Sequence, residues 1–288
     1  MLDYLLGLCV SFWLFNHELS TMNHELPSMD NLKITVFQGY LFWENIDRNL
    51  QNIELKLSNI REKTNLIILP EMFNTGFTME AEKLAEPMGG KTMKWMHKIA
   101  NKYEAALTGS IIIKDGDKFY NRLIWMRPDG TYECYDKRHL FALGKEHQTY
   151  TAGTKRLVVE LNGWNICPMI CYDLRFPVWL RNVNAEYDLL LIVANWPERR
   201  IAHWRALIPA RAIENQSYVV AVNRVGHDGN EIYHSGDSTC VDPNGNSIYY
   251  KRDEEDMYTF TINAEEVTKT RRALPFLKDM DEFTINTM

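Results

Sequence analysis

Apolar and polar positions alternate along the chain in short, well-separated patches. Leu32, Ile34 and Val36, spaced by Lys33 and Thr35, have the period of two of a strand with one covered face. Over residues 43–63, Ile46, Leu50, Ile53, Leu57 and Ile60 recur at intervals of four, three, four and three, which predicts an amphipathic helix. Leu66-Ile67-Ile68-Leu69, closed by Pro70, is apolar on both faces, the pattern of a strand buried inside a layered structure, and Glu71 emerges at its carboxyl end. A second helix is expected over 92–103. Strands over 106–113 and 119–127 flank the turn-forming Lys114-Asp115-Gly116-Asp117 and predict a hairpin. After the turn Pro128-Asp129-Gly130, a strand over 131–136 runs into Lys137-Arg138-His139.

The second half repeats this grammar. Strands over 157–161 and 164–170 flank Asn162-Gly163, and the latter runs directly into Cys171. Asp188 to Ala194 reads as another buried apolar strand, and 202–216 as a helix that Pro209 is expected to bend or divide. Strands follow over 218–222, 238–241 and 247–250, the last two joined by the turn Asp242-Pro243-Asn244-Gly245. This exceeds what one sheet comfortably holds. Two mixed sheets packed face to face, each covered by helices, reconcile the hairpins with the strand–helix units.

Composition narrows the partners. With 38 acidic against 32 basic residues the net charge is -6, the wrong sign for gripping a phosphate backbone, so no nucleic acid is expected. Five cysteines, Cys9, Cys134, Cys167, Cys171 and Cys240, contain no C-x-x-C pair, which fits a reducing, cytoplasmic setting. Residues 1–28 include an apolar run from Leu5 to Phe15 but no Lys or Arg. The run is too short to span a membrane and lacks the positive region of an export signal; the bulky Leu8 before Cys9 also spoils a lipoprotein box. The expectation is a dispensable extension over 1–28, a functional start at Met29 and one domain over 29–288, with no membrane partner.

Three residues stand at strand ends, where open α/β sheets place their chemistry: Glu71, Lys137 and Cys171. Singly, each has an ordinary alternative as a helix cap, a surface charge or core packing. A Cys–His pair using His139, His147 or His203 is the competing arrangement, and no spacing demands it. No metal is expected, since His139 and His147 lack neighbouring ligands. No G-x-x-x-x-G-K loop occurs to hold a nucleotide, and no cofactor is expected.

Together, LPEMFNTGF around Glu71, YDKRHLF around Lys137 and CYDLRFP from Cys171 resemble the three catalytic segments of the carbon-nitrogen hydrolase (nitrilase) superfamily, in the family's order. Asn195-Trp196-Pro197, ARAIENQ from Ala210 and HSGDSTCVDPNGN from His234 agree, so the resemblance covers about residues 32–283. It implies a four-layer αββα sandwich, a Glu71-Lys137-Cys171 triad, an additional glutamate at Glu146 that orients the lysine or substrate, and a homodimer. The chemistry is consistent: a neutral thiol needs a base, Glu71, while Lys137 and the backbone N–H of Tyr172 stabilise an oxyanion. Asp173, Arg175, Arg211 and Glu214 read as architecture.

YDKRHLF, CYDLRFP and ANWPERR are most similar to the ω-amidase branch, which implies small 2-oxo dicarboxylic monoamides such as 2-oxoglutaramate and 2-oxosuccinamate as substrates. Arg199 or Arg200 would bind the carboxylate, and Trp196, Phe77 and Tyr40 are candidate pocket walls. The alternatives are a nitrilase, a carbamoylase, an acyltransferase, or a noncatalytic scaffold that keeps the fold.

Overall fold

The structure, a computed structural model, describes residues 29–285; the expectation for residues 1–28 lies outside the described residues. Two seven-stranded mixed sheets make the frame. The first runs Asp256–Ile262, Leu32–Gln38, Leu66–Ile68, Ala106–Asp115, Lys118–Met126, Tyr132–Asp136, with the short Glu86–Pro87 beside Ala106–Asp115. The second runs Val225–His227, Tyr233–Val241, Tyr218–Asn223, Leu189–Ala194, Trp164–Ile170, Val159–Leu161, with Ser247–Arg252 on Tyr233–Val241.

The alternation of side chains dictates the layers. Leu66 and Ile68 face the second sheet and share one core with Ile166, Leu189 and Val220. Ile67 and Leu69 face the opposite way, packing with Leu50, Ile53 and Leu57 of one helix and Met96 and Ile99 of another. Both faces of that strand are therefore dry, which is why it carries no polar residue. Helices Ile46–Leu57 and Lys91–Tyr103 cover the first sheet, and Ile201–Asn215 covers the second through Trp204, Ile208 and Ala212. The α/β architecture is the four-layer αββα arrangement.

Three expectations need correction. The first helix is shorter than 43–63, because the Asn45 side chain accepts from Arg48 N–H at 3.1 Å and so fixes the start, and Ser58 Oγ turns back on Leu55 O at 2.6 Å near its end. Pro209 does not divide Ile201–Asn215, which is one continuous helix. Strand Asp256–Ile262 and helix Ala264–Ala273 were absent from the sequence reading. Among the described residues no helix is long and apolar enough to cross a membrane.

Candidate active site

Glu71 lies just past Leu66–Ile68 and is fully buried. Its turn is held by Ser110 Oγ, which accepts from Met72 N–H at 2.9 Å while Met72 adopts a φ of 42°. The opposite sheet then fixes the carboxylate: Asn195, one residue beyond Leu189–Ala194, donates its backbone N–H to Glu71 Oε2 at 2.8 Å and its side-chain amide to Glu71 O.

Lys137 follows Tyr132–Asp136, with its N–H on Asn121 O at 3.0 Å and its carbonyl accepting from Gly153 N–H at 2.9 Å. Nζ donates to Glu71 Oε1 at 2.8 Å and to Glu146 Oε1 and Oε2 at 3.0 and 2.9 Å. Glu146 does not face water; it is fully buried and also accepts from Phe141 N–H at 2.6 Å. Burial by itself would lower the lysine's pKa, but the charges of Glu146 and then Glu71 outweigh it, and the net shift is upward. Burial pushes the Glu146 carboxyl up, against the pull of Lys137.

Cys171 ends Trp164–Ile170 with a φ of 44°, a left-handed backbone that a non-glycine residue holds at a cost of about 1–3 kcal/mol. Asp173 holds it there. One carboxylate oxygen accepts from Ile170 N–H at 3.1 Å and Tyr135 OH at 2.8 Å, and the other contacts the backbone N–H and ring Nδ1 of His139 at 2.9 and 2.8 Å. Arg211 adds Nε and Nη2 bonds to Leu174 O at 3.1 and 2.9 Å and pairs with Glu214 at 2.9 Å, an architectural role for both. The thiol faces the same cavity as the Glu71 carboxylate and Asn195. Burial and then the Glu71 charge push its pKa well up, against the pull of Lys137. His139 is taken by Asp173 and stacks on Phe176, His203 contacts Arg175 Nη1 at 3.1 Å, and His147 is exposed, so none supplies a Cys–His pair.

These groups floor a cavity of about 560 Å³. Phe77, Tyr172, Trp196, Arg199 and Arg200 line it. Tyr40 does not: its ring lies over Gly226 and beside Arg224, and its N–H bonds to Glu255 Oε1 at 2.9 Å, because the chain has left the sheet toward the surface there. Arg175, read from sequence as architecture, lines the cavity instead, with its guanidinium 4.5 Å from the Trp196 ring centroid. Arg200 sits 5.0 Å from the Phe141 ring centroid. Among the described residues no carboxylate stands within ion-pairing distance of Arg175, Arg199 or Arg200. Burial, with the like charges of Arg199 and Arg175, lowers the pKa of Arg200. The cavity also has an acidic side, which the sequence reading missed. Its Glu44 accepts from Thr78 Oγ1 at 2.6 Å, Glu80 pairs with Lys83 at 2.7 Å, and Asp228 accepts two backbone N–H groups. Among the described residues no cluster of His, Cys, Asp and Glu could hold a metal ion.

A family model described as carbon-nitrogen hydrolase matches residues 33–272. The chain is 43% identical over 264 residues to the omega-amidase YafV of Escherichia coli (strain K12), covering 89% of this chain and 100% of that one. It is 31% identical over 236 residues to the 2-oxoglutaramate amidase of Bacillus subtilis (strain 168), covering 81% and 91%. The solved structure of XC1258 from Xanthomonas campestris, a CN-hydrolase superfamily protein with an arsenic adduct in its active site, superposes with a TM-score of 0.88 at 42% identity, covering 90% of this chain and 100% of that one.

Proposed function

The chain belongs to the carbon-nitrogen hydrolase family and is an amidase of that family, and on this premise we propose that it is a cysteine-dependent ω-amidase acting on small 2-oxo dicarboxylic monoamides. The observation that carries the substrate class is the trio Arg175, Arg199 and Arg200, which line the same cavity as Cys171 without a protein counter-ion among the described residues. A substrate carboxylate supplies that counter-ion, in the bidentate geometry guanidinium favours. 2-Oxoglutaramate, the substrate in the name of the Bacillus subtilis relative, has a carboxylate at one end and an amide at the other.

In the proposed reaction Glu71 takes the Cys171 proton as the sulfur–carbon bond forms, so no free thiolate has to exist in the buried site. The carbonyl oxygen becomes an oxyanion against the Lys137 ammonium and the Tyr172 N–H, which lies in the first turn after the strand where helix N–H groups lack intrahelical acceptors. Each such donor is worth about 3 kcal/mol. Glu71 returns the proton to the nitrogen, the carbon–nitrogen bond breaks and ammonia leaves. A water then gives a proton to Glu71 and its hydroxyl to the thioester carbon; the carbon–sulfur bond breaks and the thiol is restored.

Glutamine tests the substrate assignment, because its ammonium is on the carbon that bears the carboxylate. Any arginine that binds the carboxylate also faces that like charge, and a desolvated, mismatched charge costs several kcal/mol, about 100-fold or more in selectivity. Ammonia release gives kcat/KM for 2-oxoglutaramate and glutamine, and product formation for an aliphatic nitrile and an N-carbamoyl amino acid. A preference for 2-oxoglutaramate is expected; preference for any of the other three removes the ω-amidase assignment. Cys171→Ala is expected to fold and lose turnover while Cys134→Ala and Cys167→Ala keep it, and the opposite pattern removes the nucleophile assignment.

A further inference from the structure

Glu71 and Glu146 converge on one ammonium, and a second donor serves both of them. Asn121, on the strand Lys118–Met126 and 1% exposed, gives one amide hydrogen to Glu71 Oε1 at 2.9 Å and the other to Glu146 Oε1 at 3.1 Å. Its backbone carbonyl meanwhile accepts from Lys137 N–H at 3.0 Å. Its Oδ1 is buried and has no partner among the described residues. A residue kept only for packing satisfies both ends of its amide; here the acceptor end is left orphaned so that both donor hydrogens point at carboxylates. The opposite amide orientation is excluded, since it would aim Oδ1 at two acceptor-only groups.

We propose that Asn121 is a positioning residue that holds the Glu71 carboxylate turned so that Oε2 is left for the thiol, and that supplies the second donor Glu71 and Glu146 share. The inference rests on the assignment of Glu71 as base and Cys171 as nucleophile. Oε1 is occupied by Lys137 and Asn121, whereas among the described residues Oε2 accepts only from Asn195 N–H, and Asn195 lines the same cavity as Cys171. Without Asn121, two carboxylates with one fewer donor each share a single ammonium, and the pair holds a proton to higher pH. A protonated Glu71 cannot take the thiol's proton. The other ionisable groups facing the pair are Lys137, Cys171, the Tyr150 phenol and, at the cavity wall, Glu44. The first three have pKa values displaced upward, so they do not produce an acid limb.

The test uses Asn121→Leu, which removes both donors, and the isosteric Asn121→Asp, which removes them and adds a like charge. Two readouts are followed against pH: kcat/KM for the amide substrate, and iodoacetamide alkylation of Cys171 in the free enzyme. Expected are a fall in kcat/KM on the order of 100-fold, from two charge-assisted hydrogen bonds, and an acid limb moved up by about one pH unit or more in both profiles. A structural role predicts lost activity with an unmoved limb, and that result in either folded variant overturns the proposal. Cys171→Ala separates the failures. If it keeps turnover, the nucleophile assignment falls and this inference with it; if it is inactive while both Asn121 variants keep the parental limb, only the inference falls.

Discussion

Replacing Lys137 by Met removes one ammonium from between two buried carboxylates while keeping an unbranched side chain of similar length. In the parent one lysine side chain is held by both carboxyl groups, with contacts of 2.8 and 2.9 Å and at most 1% exposure. At an effective dielectric of about 20, each contact is worth about 6 kcal/mol gross. Desolvation offsets much of that, and breaking a buried pair costs about 3–5 kcal/mol net. The variant can escape part of this loss by binding one proton. An unfolded glutamate titrates near about 4.3, so holding that proton costs about 5 kcal/mol at pH 8 and about 1.6 kcal/mol at pH 5.5. The sign follows from linkage. A carboxyl whose folded pKa is raised contributes stability that is intact below the unfolded value and lost as pH rises through the folded one. Glu146, already displaced upward in the parent, moves further in that direction. Urea unfolding followed by tryptophan fluorescence at several pH values is the assay. The stability gap between parent and Lys137→Met should widen by about 1.4 kcal/mol per pH unit from pH 5.5 toward pH 8, alongside a fall in kcat of at least about 100-fold from the lost oxyanion donor. A gap that stays flat with pH, or below about 1 kcal/mol at pH 8, refutes the account of the buried cluster.

Arg200→Lys should raise KM for 2-oxoglutaramate about tenfold with kcat changed by less than about threefold, since a point charge replaces a planar fork equally in ground and transition states; a fall in kcat at constant KM would place Arg200 in the chemistry instead. A chain beginning at Met29 is expected to keep full activity and solubility, measured by ammonia release and by the soluble fraction after expression; loss of either shows that residues 1–28 have work to do. Sedimentation at micromolar concentration is expected to give the mass of two chains, and the mass of one chain would contradict a homodimer.

Much of this was legible where burial forces composition. Leu66 to Leu69 and residues 188–194 read as strands because both their faces are covered, and that made Glu71 and the residues after Ala194 conspicuous. Cys171 was conspicuous for the same reason, at the end of an apolar run. Strand Asp256–Ile262 was not, because it is an edge strand with exposed residues in its pattern and an acidic approach through Asp253, Glu254 and Glu255. Asn121 looks like any polar position in a hairpin strand. Its meaning depends on Glu71 and Glu146 arriving from 50 and 25 residues away, which periodicity cannot report. Tyr40 and Arg175 failed in opposite directions for one reason: spacing locates the end of an element, but not which way the next side chain leaves it.

The strand Asp256–Ile262 pairs antiparallel with Leu32–Gln38 along its whole length, from Leu32 opposite Ile262 to Gln38 opposite Asp256. These segments lie at opposite ends of the described chain, and at ribosomal speeds their synthesis is separated by on the order of tens of seconds. Throughout that interval one edge of the first sheet, which carries Glu71 and Lys137, is open, while Cys171 and Asn195 emerge on the other sheet. Cys171 thus leaves the ribosome before the sheet that holds Glu71 can close. A chain released early carries Glu71, Lys137 and Cys171 but lacks the strand that closes the sheet bearing the first two.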